Sequence, residues 1–187
     1  KPGVAIVLRS DWEGVGKGVF AKYFGSLLGD HFTVVNEGRH LHGNFNAHQK
    51  KCLFLLGDEA VWGGDKRAEA KLKEMITEPT TICEFKGKDS FQIKSFIRLM
   101  LQTNSEWAAP VSLTDRRYFV LDVSEMRLND HVFFKEVENE KKNGGAEALL
   151  NVLQQFDLSD FEVREFPDTP ARQEQKLLSM QPLEEWW

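Results

Sequence analysis

The chain has 187 residues, 41% of them hydrophobic, enough for a single domain with a substantial core. No apolar run approaches the roughly 18 residues that span a bilayer, and Lys1-Pro2-Gly3 leads straight into a strand-like segment without signal-peptide architecture, so the expected location is cytoplasmic. The net charge of −5 is uneven: residues 1–123 carry 17 Lys and Arg against 15 Asp and Glu, residues 124–187 carry 7 against 14, so the acidity does not exclude a nucleic-acid partner for the first part.

Val4-Ala5-Ile6-Val7-Leu8 is a continuous apolar run, as expected of a strand buried on both faces of a parallel sheet. A Gly-rich turn follows, then a helix over Val19 to Leu28 that ends near Gly29. Further strands are predicted over Phe32 to Val35 and Cys52 to Leu56. The charged segment Asp65 to Thr77 reads as a helix, and Thr80 to Phe85 with Ser90 to Ile93 as a hairpin turning around Gly87. Phe96 to Thr103 and Tyr118 to Val123 complete about five strands besides the hairpin. Beyond residue 124 the pattern is helical, over His131 to Lys142, Ala146 to Phe156 and Ala171 to Met180, with breaks at Asn143-Gly144-Gly145 and at Pro167 and Pro170. The expected fold is α/β: about five parallel strands flanked by helices over residues 1–123, followed by a small helical extension over 124–187. The two terminal tryptophans, Trp186 and Trp187, suggest that the natural protein continues.

Four segments carry chemistry. Asp11-Trp12-Glu13-Gly14-Val15-Gly16-Lys17-Gly18 follows a buried strand and opens a helix, the setting of a phosphate-binding loop. Its glycines let backbone N–H groups face phosphates, and Lys17 would bridge the β and γ phosphates. The candidate nucleotide contacts are Glu13, Gly14, Val15, Gly16, Lys17, Gly18 and Val19. Two positions depart from the general pattern: Asp11 stands in place of the first glycine, and Gly18 in place of the Ser or Thr that binds magnesium. The second segment is the apolar strand ending in Asp58-Glu59; Asp58 would hold Mg²⁺ and Glu59 would polarise the attacking water. The third places Asn104 at a strand end, to orient that water, and the fourth is Arg116-Arg117, which can neutralise transition-state charge. Alone, each has a bland alternative in a turn, a solvated face or a strand end; together, their order and spacing argue for one site.

With these elements in place the sequence resembles the superfamily 3 helicases, a branch of the AAA+ ATPases, and among them the helicase part of phage, prophage and plasmid primase-helicases. The matching segments are Gly14 to Gly18, Asn44-Phe45-Asn46-Ala47-His48, Gly57 to Ala60, Ile76 to Thr80, Lys86-Gly87-Lys88, Thr103-Asn104 and Asp115-Arg116-Arg117. The resemblance implies an ATP- and Mg²⁺-dependent motor that moves on DNA as a ring, a hexamer in the full-length protein. ATP would lie between subunits, with Lys17, Asp58, Glu59 and Asn104 on one and Arg116 or Arg117 on the next. It also implies a DNA-contacting hairpin at Thr80 to Ile93 with Lys86 and Lys88 at its turn, where a ring of copies multiplies a modest local charge.

Other residues read as structural. Cys52 and Cys83, the only cysteines, sit among hydrophobic neighbours. His40 and His42 lack a third ligand at metal-binding spacing. Asn44, Phe45 and His48 are favoured as packing residues, as are Trp62 and Trp107; Trp12 is either a stacking partner for the nucleotide or a cover for the core. A nucleotide-dependent assembly module with negligible turnover is the alternative that Gly18 motivates. A small-molecule kinase lacks an evident acceptor site.

Overall fold

The computed structural model describes residues 3–38, 41, 46, 49–59, 66–84 and 89–180. Five strands, β1 (Ala5–Arg9), β2 (Phe32–Val35), β3 (Phe54–Asp58), β6 (Arg98–Thr103) and β7 (Tyr118–Asp122), form one parallel sheet in the order β2-β3-β6-β1-β7. The interior strands β3 and β6 are buried along almost their whole length, whereas β2 and β7 at the edges are only partly covered. Helices on both faces account for the continuous apolar runs of the interior strands, since each side chain must meet a covered surface.

On one face, Val7, Leu55, Leu101 and Val120 pack with Leu72, Met75 and Ile76 of α2 (Lys66–Thr77), with Ala108, Ala109 and Val111, and with Ala171 of the last helix, α5 (Pro170–Leu178). On the other, Leu8, Phe54, Leu56 and Met100 meet Ala21 and Phe24 of α1 (Lys17–Ser26). Phe54 stands edge-on to Phe24 and stacks on Phe32, each with ring centroids 5.3 Å apart. Both cysteines are buried, Cys52 in the first of these layers, as their apolar neighbours suggested.

β4 (Thr80–Cys83) and β5 (Phe91–Lys94) form the expected antiparallel hairpin outside the main sheet, with Thr80 opposite Lys94 and Cys83 opposite Phe91. Asn46 fastens it: its Nδ2 donates to the Ile82 carbonyl at 2.7 Å and its Oδ1 accepts from the Glu84 N–H at 2.9 Å. Lys86 and Lys88 lie outside the described residues, as do His40, His42, Asn44, Phe45, His48 and Trp62.

Beyond β7 come α3 (His131–Glu140), α4 (Ala146–Gln155) and α5. Asp130 caps α3 by accepting from the Phe133 N–H at 3.0 Å, and Gly144, at φ 95°, breaks the path between α3 and α4 as the Asn-Gly-Gly segment predicts. Pro170 does not separate helices but begins one. Thr169 caps α5, and proline at the first helical position lacks only an N–H that has no partner there anyway. The strand expected at Cys52 to Leu56 is displaced by two residues, because pairing of Phe54 with both Phe32 and Arg98 sets its start. That displacement takes Gly57 and Asp58 into β3. No helix among the described residues is long and apolar enough to cross a membrane.

Candidate functional site

β1 lies between β6 and β7 while its own chain continues to β2 at the far edge, so a crevice opens beyond the carboxyl ends of the strands, where open α/β sheets take their ligands. The Gly-rich loop leaves β1 into that crevice. Gly14 and Gly16 adopt positive φ, 78° and 102°, and Gly16 is the residue before α1. No side chain caps this helix, so its first-turn N–H groups, with the positive end of the helix dipole, face the cleft. The cleft has a volume of about 890 Å³ and is lined by Glu13 to Val19, Lys22, Tyr23, Asp58, Glu59, Gln102, Asn104, Phe134, Glu138 and Lys141.

Lys17 is buried, and its ammonium donates to Ser10 Oγ at 2.5 Å and to the Trp12 carbonyl at 3.5 Å. Burial pushes its pKa below the usual lysine value, against the opposing pull of Glu59, Asp58 and Glu13. A charge held this way gains from any anion that enters the cleft. Ser10 organises the centre: its hydroxyl donates to the Trp12 carbonyl at 2.6 Å, and Asn104 Nδ2 donates to the Ser10 carbonyl at 2.9 Å.

β3 delivers Asp58 at its last position, and Glu59 turns off the strand at φ 51°, a left-handed conformation uncommon for a side-chain-bearing residue. Three bonds hold it there. The Glu59 N–H donates to the Gln102 carbonyl at 3.0 Å, and its two carboxylate oxygens accept from Thr103 Oγ1 at 2.6 Å and from the Asn104 N–H at 2.7 Å. The acid pair and the asparagine strand are thus one hydrogen-bonded unit. Gln102 is the cross-strand partner of Asp58 on one side and of Leu8 on the other, and its side-chain oxygen is buried without a hydrogen-bond partner among the described residues.

Lys17, Asp58, Glu59 and Asn104 therefore meet in one cleft with the loop glycines. Arg116 and Arg117 do not. They precede β7, and the Arg117 carbonyl accepts from the Ala5 N–H at 2.7 Å at the opposite, amino edge of the sheet. The five residues of β1, at about 3.3 Å each, set the two edges on the order of 15 Å apart. Arg117 pairs with buried Asp115, Nη1 to Oδ2 at 2.7 Å, while Arg116 is exposed and makes no ion pair among the described residues. Trp12 is 56% exposed and does not line the cleft.

The segment 129–141 was not apparent as part of the site. Asn129 N–H donates to the Gly14 carbonyl at 3.2 Å, its side chain stands where a Cβ on residue 14 would be, and the Phe134 ring would lie 2.7 Å from a Cβ on residue 16. These two glycines are required twice, for backbone conformation and for the close approach of the later segment.

The molecule is thus an α/β protein whose parallel sheet presents a Gly-rich loop and an acid pair to a shared cleft. The chain belongs to the family of unknown function DUF5906, whose model matches residues 8–117, from the end of β1 to the threshold of β7. Among solved structures it is similar to the apo C-terminal region of NrS-1, with TM-score 0.83 and 19% identity over 98% of this chain and 44% of that one. The A form of the same apo region gives TM-score 0.80 and 18% identity over 96% and 43%. At such identity the likeness is one of fold, and this chain spans less than half the length of the chains it matches. No curated protein matches the sequence.

Proposed function

We propose that the cleft binds ATP with Mg²⁺ and hydrolyses it, and that the chain is the motor part of a DNA-replication protein that moves on DNA as a ring. One observation carries the reading: a buried lysine at the start of an uncapped helix faces two carboxylates and an asparagine across a cleft large enough for a nucleotide. Loop N–H groups and Lys17 would hold the phosphates. Asp58 fits a divalent cation that completes its shell with phosphate and neutral oxygens, because no group of three or more His, Cys, Asp or Glu gathers among the described residues. Glu59 and Asn104, already joined through the Asn104 N–H, would orient the attacking water.

Arg116, exposed at the other edge of the sheet and without an ion pair among the described residues, cannot serve its own cleft and suits that of a neighbouring subunit. Arg117 is occupied with Asp115 and is the weaker candidate. The hairpin, with Lys86 and Lys88 between its strands, would face DNA in the ring.

The test is ATP turnover with and without single-stranded DNA, alongside mass in solution with and without ATP. Turnover that DNA stimulates and that Glu59→Gln reduces at least about a hundredfold, while nucleotide stays bound, supports the reading. Failure of the wild type to bind ATP overturns it. Binding and assembly with turnover already negligible and indifferent to Glu59→Gln would instead establish the assembly module that Gly18 motivates.

A further inference from the structure

Gly18 removes the hydroxyl that a Ser or Thr would place on the cation, and Gln102 stands across from it. A Cβ built on residue 18 would lie 3.5 Å from Gln102 Nε2 and 3.9 Å from Oε1, so the amide head lies against the bare face of α1. The parallel register puts Gln102 directly beside Asp58. Gln102 is only 6% exposed, its Oε1 has no hydrogen-bond partner among the described residues, and it lines the cleft with Lys17, Asp58 and Glu59. The other buried side-chain atoms left without partners among the described residues, on Arg117, Tyr118, Arg172 and Ser179, belong to residues that do not line this cleft.

We propose that the side-chain carbonyl of Gln102 is a ligand of the nucleotide-bound divalent cation, supplying from β6 the neutral oxygen that Gly18 cannot supply from α1; this rests on the nucleotide reading above. A buried carbonyl without a donor is a site that a ligand completes, and carboxylate, carbonyl and phosphate oxygens suit Mg²⁺. An amide oxygen and a hydroxyl are both neutral donors, so the exchange keeps the charge of the shell. The amide head lies at ordinary contact distance from residue 18, and a half-turn of the amide, which interchanges its oxygen and nitrogen, brings the carbonyl to the side that faces α1.

Mn²⁺ serves as the probe, titrated by electron paramagnetic resonance into the protein saturated with a non-hydrolysable ATP analogue, with the affinity for the analogue measured separately in EDTA. Gln102→Leu should weaken Mn²⁺ binding roughly tenfold or more and leave the metal-free nucleotide affinity unchanged. Gln102→Glu, which keeps an oxygen donor, should retain the metal. Gly18→Ser added to Gln102→Leu should recover most of the loss, since 3.5 Å is ordinary contact for the new Cβ. Wild-type Mn²⁺ affinity in Gln102→Leu overturns the proposal, as does an equal loss of metal-free nucleotide affinity, which would mark a packing role. A wild type that binds no analogue overturns the nucleotide reading first, and with it this one.

Discussion

At the carboxyl edge of the sheet Lys17, Asp58, Glu59 and Asn104 converge on an open cleft, whereas at the amino edge Asp115 is buried and bonded internally. The Asp115 carboxylate accepts from the Arg117 N–H and from Arg117 Nη1, both at 2.7 Å, and its carbonyl accepts from Arg172, whose guanidinium lies over the Phe166 ring at 5.3 Å. Both edges combine carboxylates with basic groups. They differ in what the charges face: at one edge the lysine's surroundings leave room for an anion, at the other Arg117 is spent on an internal acid. Residues near one another in a motif, such as Asp115, Arg116 and Arg117, thus differ in surroundings: Asp115 is buried, Arg117 is paired with it and Arg116 faces solvent.

The comparison is broken most directly at Lys17. Lys17→Ala should reduce ATP turnover by at least about a hundredfold with little change in thermal unfolding, because the residue's partners, Ser10 and the Trp12 carbonyl, remain bonded to each other. A large loss of stability instead would make the lysine a core residue. Asp115→Ala should do the reverse and lower unfolding free energy by about 2 kcal/mol, by uncovering the Arg117 N–H and its guanidinium; denaturant unfolding checks it. Gly16→Ala joins the two kinds of effect. Its φ of 102° and the Phe134 ring both oppose a side chain, so destabilisation on the order of 1–2 kcal/mol is expected, together with weaker nucleotide binding. Arg116→Ala should change stability by less than about 0.5 kcal/mol and lower turnover only where subunits assemble.

The smallest effect concerns Asp168. Hydrogen bonds from Arg172 and then Lys176 hold its carboxyl below the usual range. Its contribution to the stability of α5 is therefore present above the unfolded carboxylate's pKa and fades as pH falls through the depressed folded value. An acid titration of stability should lose that increment in Asp168→Asn, though its exposure and solvent screening keep it small.

The sheet, both flanking layers and the cleft's first ring of residues were legible because they rest on local patterns: apolar runs, glycine turns and polar residues at strand ends. Gln102 was not. Its meaning depends on β6 lying between β3 and β1, so that it meets Asp58 and Gly18 from 44 and 84 residues away in the chain, as the register shows. Ser10, a serine after a strand, carries no pattern until Lys17 and Asn104 fold onto it. Asn129 and Phe134 were hidden for a similar reason, since the glycines they cover already had a sufficient local explanation. The shift of β3 by two residues shows the same limit on a smaller scale: hydrophobicity marks a strand, and pairing decides where it ends.

Gln175 gives the chain's later part a practical consequence. Fully buried in α5, it accepts from the Ala108 and Ala109 N–H groups at 2.7 and 3.3 Å and donates to the Glu106 carbonyl at 2.7 Å, while Thr169 and Arg172 bond the Val120 and Asp115 carbonyls. Cutting the chain within the exposed stretch 157–160 should not release a peptide: limited proteolysis should leave a nicked species in which α5 stays bound through purification and separates only in denaturant. A gene fragment ending at residue 168 should by contrast give insoluble protein, because five backbone groups would lose their partners together.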